Sequence, residues 1–158
     1  MKKFLLSLAM AMTAIGANAQ NTYNVRVGGG ILNEGDDTFT TFTAMAQANI
    51  SLNNLGYWVF SPAVQLSTGE DNTVIMLHAN MGYRKRIGNN CLFVPKVGVA
   101  GGYLSEACNY EKIPVGPSID LGLELKRFAI GLTGFYSLNQ PNHGDNIIML
   151  SLNLGCTF

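Results

Sequence analysis

The sequence has 158 residues, 47% of them apolar and only 13% charged, with ten Lys and Arg against ten Asp and Glu, and eighteen glycines. That charge density is about half of what a soluble domain usually carries, which argues against an ordinary water-exposed surface. The formal charge is zero, and slightly acidic once Lys2 and Lys3 are set aside, so a nucleic-acid partner has no electrostatic support.

The first element is MKKFLLSLAMAMTAIGANAQ: two lysines, an apolar run, then Ala-Asn-Ala before Gln20. It reads as a secretory signal peptide over residues 1–19, cleaved between Ala19 and Gln20. The apolar run is shorter than the roughly 20 residues a membrane helix needs. No cysteine follows it for lipid attachment. Residues 20–158 have the length of one domain.

Period-two alternation then predicts strands at about 22–32, 41–52, 57–67, 73–87, 91–104, 115–126, 128–139 and 146–158, with no convincing helical period anywhere. NNLG, GNN and Lys126-Arg127 read as tight turns, whereas LNEGDDT, STGEDN, SEACNYEKI and QPNHGD read as longer connections. Short and longer connections alternating between an even number of strands are the pattern of a membrane barrel. Such a barrel has no strand edge to leave unpaired in lipid.

The strands have two unlike faces. In the last, Ile148, Leu150, Leu152, Leu154, Cys156 and Phe158 alternate with Ser151, Asn153, Gly155 and Thr157. In VGPSIDLGLELK the apolar set alternates with Gly116, Ser118, Asp120, Gly122 and Glu124. A solvated face would be rich in Lys and Glu; one of Gly, Ser, Asn and Thr suits a crowded interior. With the apolar face outward, Tyr23, Trp58, Tyr83, Phe93, Phe128 and Phe158 fall near the tight turns, and Phe42, Tyr103 and Tyr136 near the longer loops. Two aromatic belts around an aliphatic band mark two membrane interfaces.

Charge sorts by end too. Glu34, Asp36, Asp37, Glu70, Asp71, Glu106, Glu111 and Asp145 belong to the longer loops, and Arg84, Lys85, Arg86, Lys126 and Arg127 to the opposite rim. The acidic end is expected to face the exterior, where carboxylates can meet the divalent cations that bridge lipopolysaccharide phosphates or simply be solvated loop tips.

An eight-stranded barrel is just wide enough for side chains to fill it. Its inward set includes Arg26, His78, Arg84, Lys96, Asp120 and Glu124, together with Gln47, Asn49, Gln65, Asn80 and Asn153. Charges buried there must pair, so these six are expected to form a lumen polar network, with Lys96 meeting Asp120 or Glu124.

Other signals carry little. His78 and His143 lack a serine and a carboxylate at triad spacing. GVAGGY lacks the lysine and strand-turn-helix context of a phosphate loop. Cys91, Cys108 and Cys156 are an odd set without zinc-site spacing, read as small apolar residues with their disulfide state open. No cofactor or metal is implied.

The signal peptide, the alternating strands VGPSIDLGLELK and FAIGLTGFYSL, and the ending LSLNLGCTF together resemble the small eight-stranded outer-membrane β-barrels of the OmpA and OmpX type, across essentially all of residues 20–158. The resemblance implies an integral protein of the bacterial outer membrane, inserted by the barrel-assembly machinery, which reads a last strand ending in an aromatic residue, here Phe158. The loops are shorter than the adhesive loops of some relatives. The expectation is therefore an all-β, eight-stranded antiparallel up-and-down transmembrane β-barrel with both ends periplasmic. Its role is read as non-enzymatic, in envelope integrity or surface interaction, among outer-membrane lipids including lipopolysaccharide and with a monomer favoured. A narrow channel for ions or small solutes and a lipid-modifying enzyme are the alternatives.

Overall fold

The computed structural model describes residues 21–53, 55–69, 73–104, 113–139 and 146–158. The expected signal peptide with its Ala19–Gln20 cleavage point, Cys108, His143, and the loop acids Glu70, Asp71, Glu106, Glu111 and Asp145 lie outside the described residues.

The strands are β1 (Thr22–Glu34), β2 (Asp37–Ser51), β3 (Trp58–Thr68), β4 (Thr73–Tyr83), the two-residue β5 (Lys85–Arg86), β6 (Cys91–Leu104), β7 (Val115–Leu125), β8 (Phe128–Tyr136) and β9 (Ile147–Thr157). All pair antiparallel in the order β4-β3-β2-β1-β9-β8-β7-β6, and β4 pairs in turn with β6, so the eight long strands close into a barrel. Four of them have 11 residues, the length that spans a hydrocarbon layer when tilted. Closure leaves no edge among them, because the first strand meets the last from Asn24 opposite Thr157 to Glu34 opposite Ile147. The seam reaches Phe158, whose backbone N–H donates to the Tyr23 carbonyl at 2.8 Å while Tyr23 N–H donates back at 3.0 Å.

Where the ladder lapses, proline explains it. The register on either side of the break between β4 and β5, Gly82 opposite Lys96 and Lys85 opposite Phe93, sets Pro95 across from Tyr83. The β2–β3 ladder pauses after Gln47 opposite Ala63 and resumes at Ile50 opposite Phe60, which sets Pro62 across from Ala48. Proline has no N–H to give, so each pause falls where a donor is missing.

Three connections depart from the expectation. The one holding NNLG, between Ser51 and Trp58, takes six residues rather than a tight turn, and the one holding STGEDN, between Thr68 and Thr73, takes only four. LNEGDDT is not a longer loop but a two-residue turn, with Glu34 directly opposite Asp37 and Gly35 at φ 57°. Glycine adopts that left-handed conformation without a Cβ clash. The threonines that follow are good strand formers, and Asn33 Nδ2 donates to Thr38 Oγ1 at 2.9 Å across the pair, so pairing continues to the turn itself.

The outer wall carries the apolar parity, including Val25, Val27, Leu77, Val97, Val99, Ile119, Leu132, Leu150, Leu152 and Leu154. Trp58, Tyr83, Phe128 and Phe158 are exposed at the tight-turn end, and Phe42, Tyr103 and Tyr136 at the other. Tyr57, which strand parity alone assigns to the polar face, is exposed and stacks on Tyr83 with centroids 5.9 Å apart, while Trp58 meets the same ring edge-on at 5.3 Å. It lies in the turn, where alternation has already ended.

Among the described residues, the lumen is charged in only one of its halves. Toward the loop side it holds an apolar cluster of Leu32, Val74, Met76, Ala100, Phe135, Ile147 and Met149, with Phe39 packed against it. The turn-side half holds the charges.

Candidate functional site

Asp120 sits near the middle of β7 with no exposed surface, and it organises the polar half. Directly opposite on β6 is Lys96, whose Nζ donates to Asp120 Oδ2 at 2.7 Å and to Gln47 Oε1 at 2.8 Å. Arg26 reaches across from β1 and forks the same carboxylate, Nη1 to Oδ1 and Nη2 to Oδ2, both at 3.0 Å. Gln47 Nε2 adds 2.9 Å to Oδ2, and Thr133 Oγ1 donates to Oδ1 at 3.3 Å. One carboxylate thus accepts from four residues on four strands. Fork geometry is what arginine supplies and lysine cannot.

Room for the guanidinium comes from β8. A Cβ built on Gly131 would lie 1.6 Å from Arg26 Nη1, so a glycine is needed at that register position. Arg26 Nη2 also donates to Gln47 Oε1 at 3.1 Å and contacts Met45 Sδ at 2.9 Å. With Arg26 at 1% and Lys96 at 2% exposure, the two cations share a site shielded from water. Each is held by the carboxylate between them.

Nearer the turns a second set forms around Glu124. Its Oε1 accepts from Asn24 Nδ2 at 3.0 Å and Asn49 Nδ2 at 2.7 Å, and Asn49 Oδ1 accepts from Ser61 Oγ at 2.7 Å. Arg84 spans the same end, donating to Thr22 Oγ1 at 2.8 Å, Ser51 Oγ at 3.2 Å and the Asn49 carbonyl at 3.3 Å. Above the Asp120 layer, Ser118 Oγ donates to Asn80 Oδ1 at 2.5 Å, Thr43 donates to Asn153 Oδ1, and Asn153 Nδ2 donates to Ser151 Oγ at 3.0 Å. Several of these bonds join strands that do not neighbour each other in the sheet. They bridge the bore.

The structure therefore brings Arg26, Lys96 and Asp120 into one cluster and places Arg84 and Glu124 in a second. His78 is buried in the lumen on β4, yet neither ring nitrogen has a hydrogen-bond partner among the described residues. It lines a narrow gap with Gln65, Met76, Thr133 and Met149, at the border with the apolar cluster. Asn24 and Thr133 take part without having been singled out in the sequence, although both share the inward parity. The need for glycine at 131 has no sequence signal, because it depends on where a side chain two strand positions away in the barrel points.

Cys91 and Cys156 carry free thiols, at the start of β6 and the end of β9. Among the described residues no three His, Cys, Asp or Glu side chains converge as metal ligands. No described helix is long and apolar enough to cross a membrane, a test that does not address strands.

No protein-family profile matches the sequence, and no curated protein matches it. Solved structures do match in fold. Neisserial surface protein A superposes with a TM-score of 0.67 at 9% identity, covering 89% of this chain and 98% of that one. The outer membrane enzyme PagL gives 0.62 at 14% identity, with 82% and 97% covered. Ail, the attachment invasion locus protein of Yersinia pestis, gives 0.55 at 15% identity, with 87% and 99% covered. This chain has the fold of the small eight-stranded outer-membrane β-barrels.

Proposed function

We propose that this chain is an integral outer-membrane barrel, exported by its N-terminal segment, whose bore is closed by its own side chains and which serves envelope integrity or surface interaction rather than catalysis. The observation that carries the reading is the Arg26–Asp120–Lys96 cluster, which joins β1, β6 and β7 across the lumen with Gln47 of β2 in the same layer. A bore bridged at that level has no continuous aqueous path of the kind a wide porin offers. The apolar outer wall between two aromatic belts supports residence in a bilayer. The matches to Ail and to Neisserial surface protein A, and the outer-membrane enzyme PagL, support the compartment by likeness of fold.

A catalytic reading draws no support from the described residues, since His78 has neither a serine nor a carboxylate on its ring nitrogens. In the proposed orientation the tight turns are periplasmic, and the outward ring of Phe158, beside the β1–β9 seam, is the mark for the barrel-assembly machinery. Lipopolysaccharide surrounds the loop-side belt, and a monomer suffices to close the barrel.

The test is fractionation of cells producing the full chain, combined with detergent-gel migration before and after heating. The expected result is recovery in outer membranes as a compact band that shifts on heating. Recovery as a freely soluble protein that migrates identically in both states would overturn the reading.

A further inference from the structure

The tight-turn end of the barrel is chemically one-sided. Residues 52–57, 84–90 and 126–127 contain five cations and no Asp or Glu. Lys85, Arg86, Lys126 and Arg127 are all exposed, and among the described residues none of the four is in an ion pair. They also sit together. Lys85 is opposite Phe93 and Arg86 opposite Leu92 on β6, Leu92 is opposite Glu124 on β7, and the Lys126-Arg127 turn follows at once. The four cations form a patch on one sector of the rim, not an even ring.

Two further observations fix its depth and surroundings. The patch adjoins the turn-side aromatic belt, with Phe128 and Phe158 outward on the same sector, and aromatic belts sit at the level of lipid headgroups. Arg86 and Lys126 also flank a recess of about 210 Å³ lined in part by Asn89 and Asn90. Glu124 contributes to that recess as well; it is buried, its Oε1 accepts from the Asn24 and Asn49 amides and its Oε2 has no hydrogen-bond partner among the described residues, so the exposed charge at the rim is that of the four cations. The loop end has the opposite sign, with Glu34, Asp36 and Asp37 at the β1–β2 turn.

We infer that this rim is a docking surface for anionic phospholipid headgroups of the leaflet on the turn side. The inference rests on the membrane reading above, and charge complementarity at headgroup depth selects the occupant. Phosphate oxygens take charge-assisted hydrogen bonds from Lys and Arg, and a lipid carrying net negative charge gains over a zwitterionic one with the same acyl chains. The patch thereby biases which lipids border one sector of the barrel.

The experiment uses the full chain reconstituted in equimolar phosphatidylcholine and phosphatidylglycerol, with spin-labelled forms of each lipid reporting the motionally restricted population. Wild type is expected to favour labelled phosphatidylglycerol by about fivefold at low salt, falling as salt screens the contact. The combined substitution K85Q/R86Q/K126Q/R127Q is expected to bring the ratio near one. The control E34Q/D36N/D37N should leave it unchanged. Heat-modifiable migration checks that each variant is folded. Equal association of the two lipids with folded wild type, or an undiminished preference in the folded quadruple variant, overturns this inference alone. Failure of the wild type to enter any bilayer overturns the membrane reading together with it.

Discussion

The two halves of the lumen solve one packing problem by different means. On the loop side, Leu32, Val74, Met76, Phe135, Ile147 and Met149 pack inside the barrel as an apolar cluster whose cohesion is non-directional. On the turn side, Arg26, Lys96, Gln47 and Thr133 converge on a single carboxylate, and the polar half as a whole holds Arg26, Arg84 and Lys96 against Asp120 and Glu124. An apolar core tolerates exchange of one shape for another of similar volume. A network in which one anion serves two buried cations does not. The difference predicts that the halves respond unequally to substitutions of comparable size.

The largest effect is expected for Asp120→Ala, which leaves the Arg26 and Lys96 charges buried without their partner. Breaking a buried pair by removing one member costs about 3–5 kcal/mol. Urea unfolding in detergent micelles, followed by the fluorescence of Trp58, the one tryptophan, measures it. A loss below about 1 kcal/mol would mean that water or rearrangement supplies the missing charge, and the contrast between the halves would fail.

Gly131→Ala comes next. Its new Cβ would overlap the Arg26 guanidinium, which cannot retreat without opening its fork on Asp120. Overpacking of this kind costs about 1–3 kcal/mol. The same substitution in an Arg26→Ala background should cost much less, because the clash has been removed. Equal costs in both backgrounds would place the strain elsewhere.

The smallest effect is expected in the apolar half. Met149→Leu keeps volume and makes no change in hydrogen bonding, so it should cost less than about 1.5 kcal/mol by the same unfolding measurement. A cost matching that of Asp120→Ala would show the loop-side cluster to be as exacting as the polar one.

How legible all this is in the sequence follows the same division. In β7 and in β9 from Ser151 onward, apolar and small polar residues alternate cleanly, so strand, face and lumen membership can be read directly. Toward the loop side the alternation disappears, as in Val74-Ile75-Met76-Leu77, Ile147-Ile148-Met149-Leu150 and Phe135-Tyr136, because the inner and outer faces are both apolar there. That is why the apolar cluster is not anticipated from polarity, although runs apolar on both parities are its signal. Lys96 and Asp120 are adjacent across one strand pair, so proximity of their strands suggests the contact. Arg26 comes from β1, and its arrival at Asp120 depends on the stagger of the closed barrel, which no single strand encodes. The turn at Gly35 is misread for a local reason: Glu-Gly-Asp-Asp looks like a loop by composition, and only pairing of the flanking residues shows two residues to be enough.

In the proposed function, side chains of this chain close its own bore. Single-channel recording of the folded protein in a planar bilayer tests it most directly. No stepwise conductance is expected from wild type. Regular, reproducible conductance steps from wild-type protein whose folding has been verified by heat-modifiable migration would contradict it.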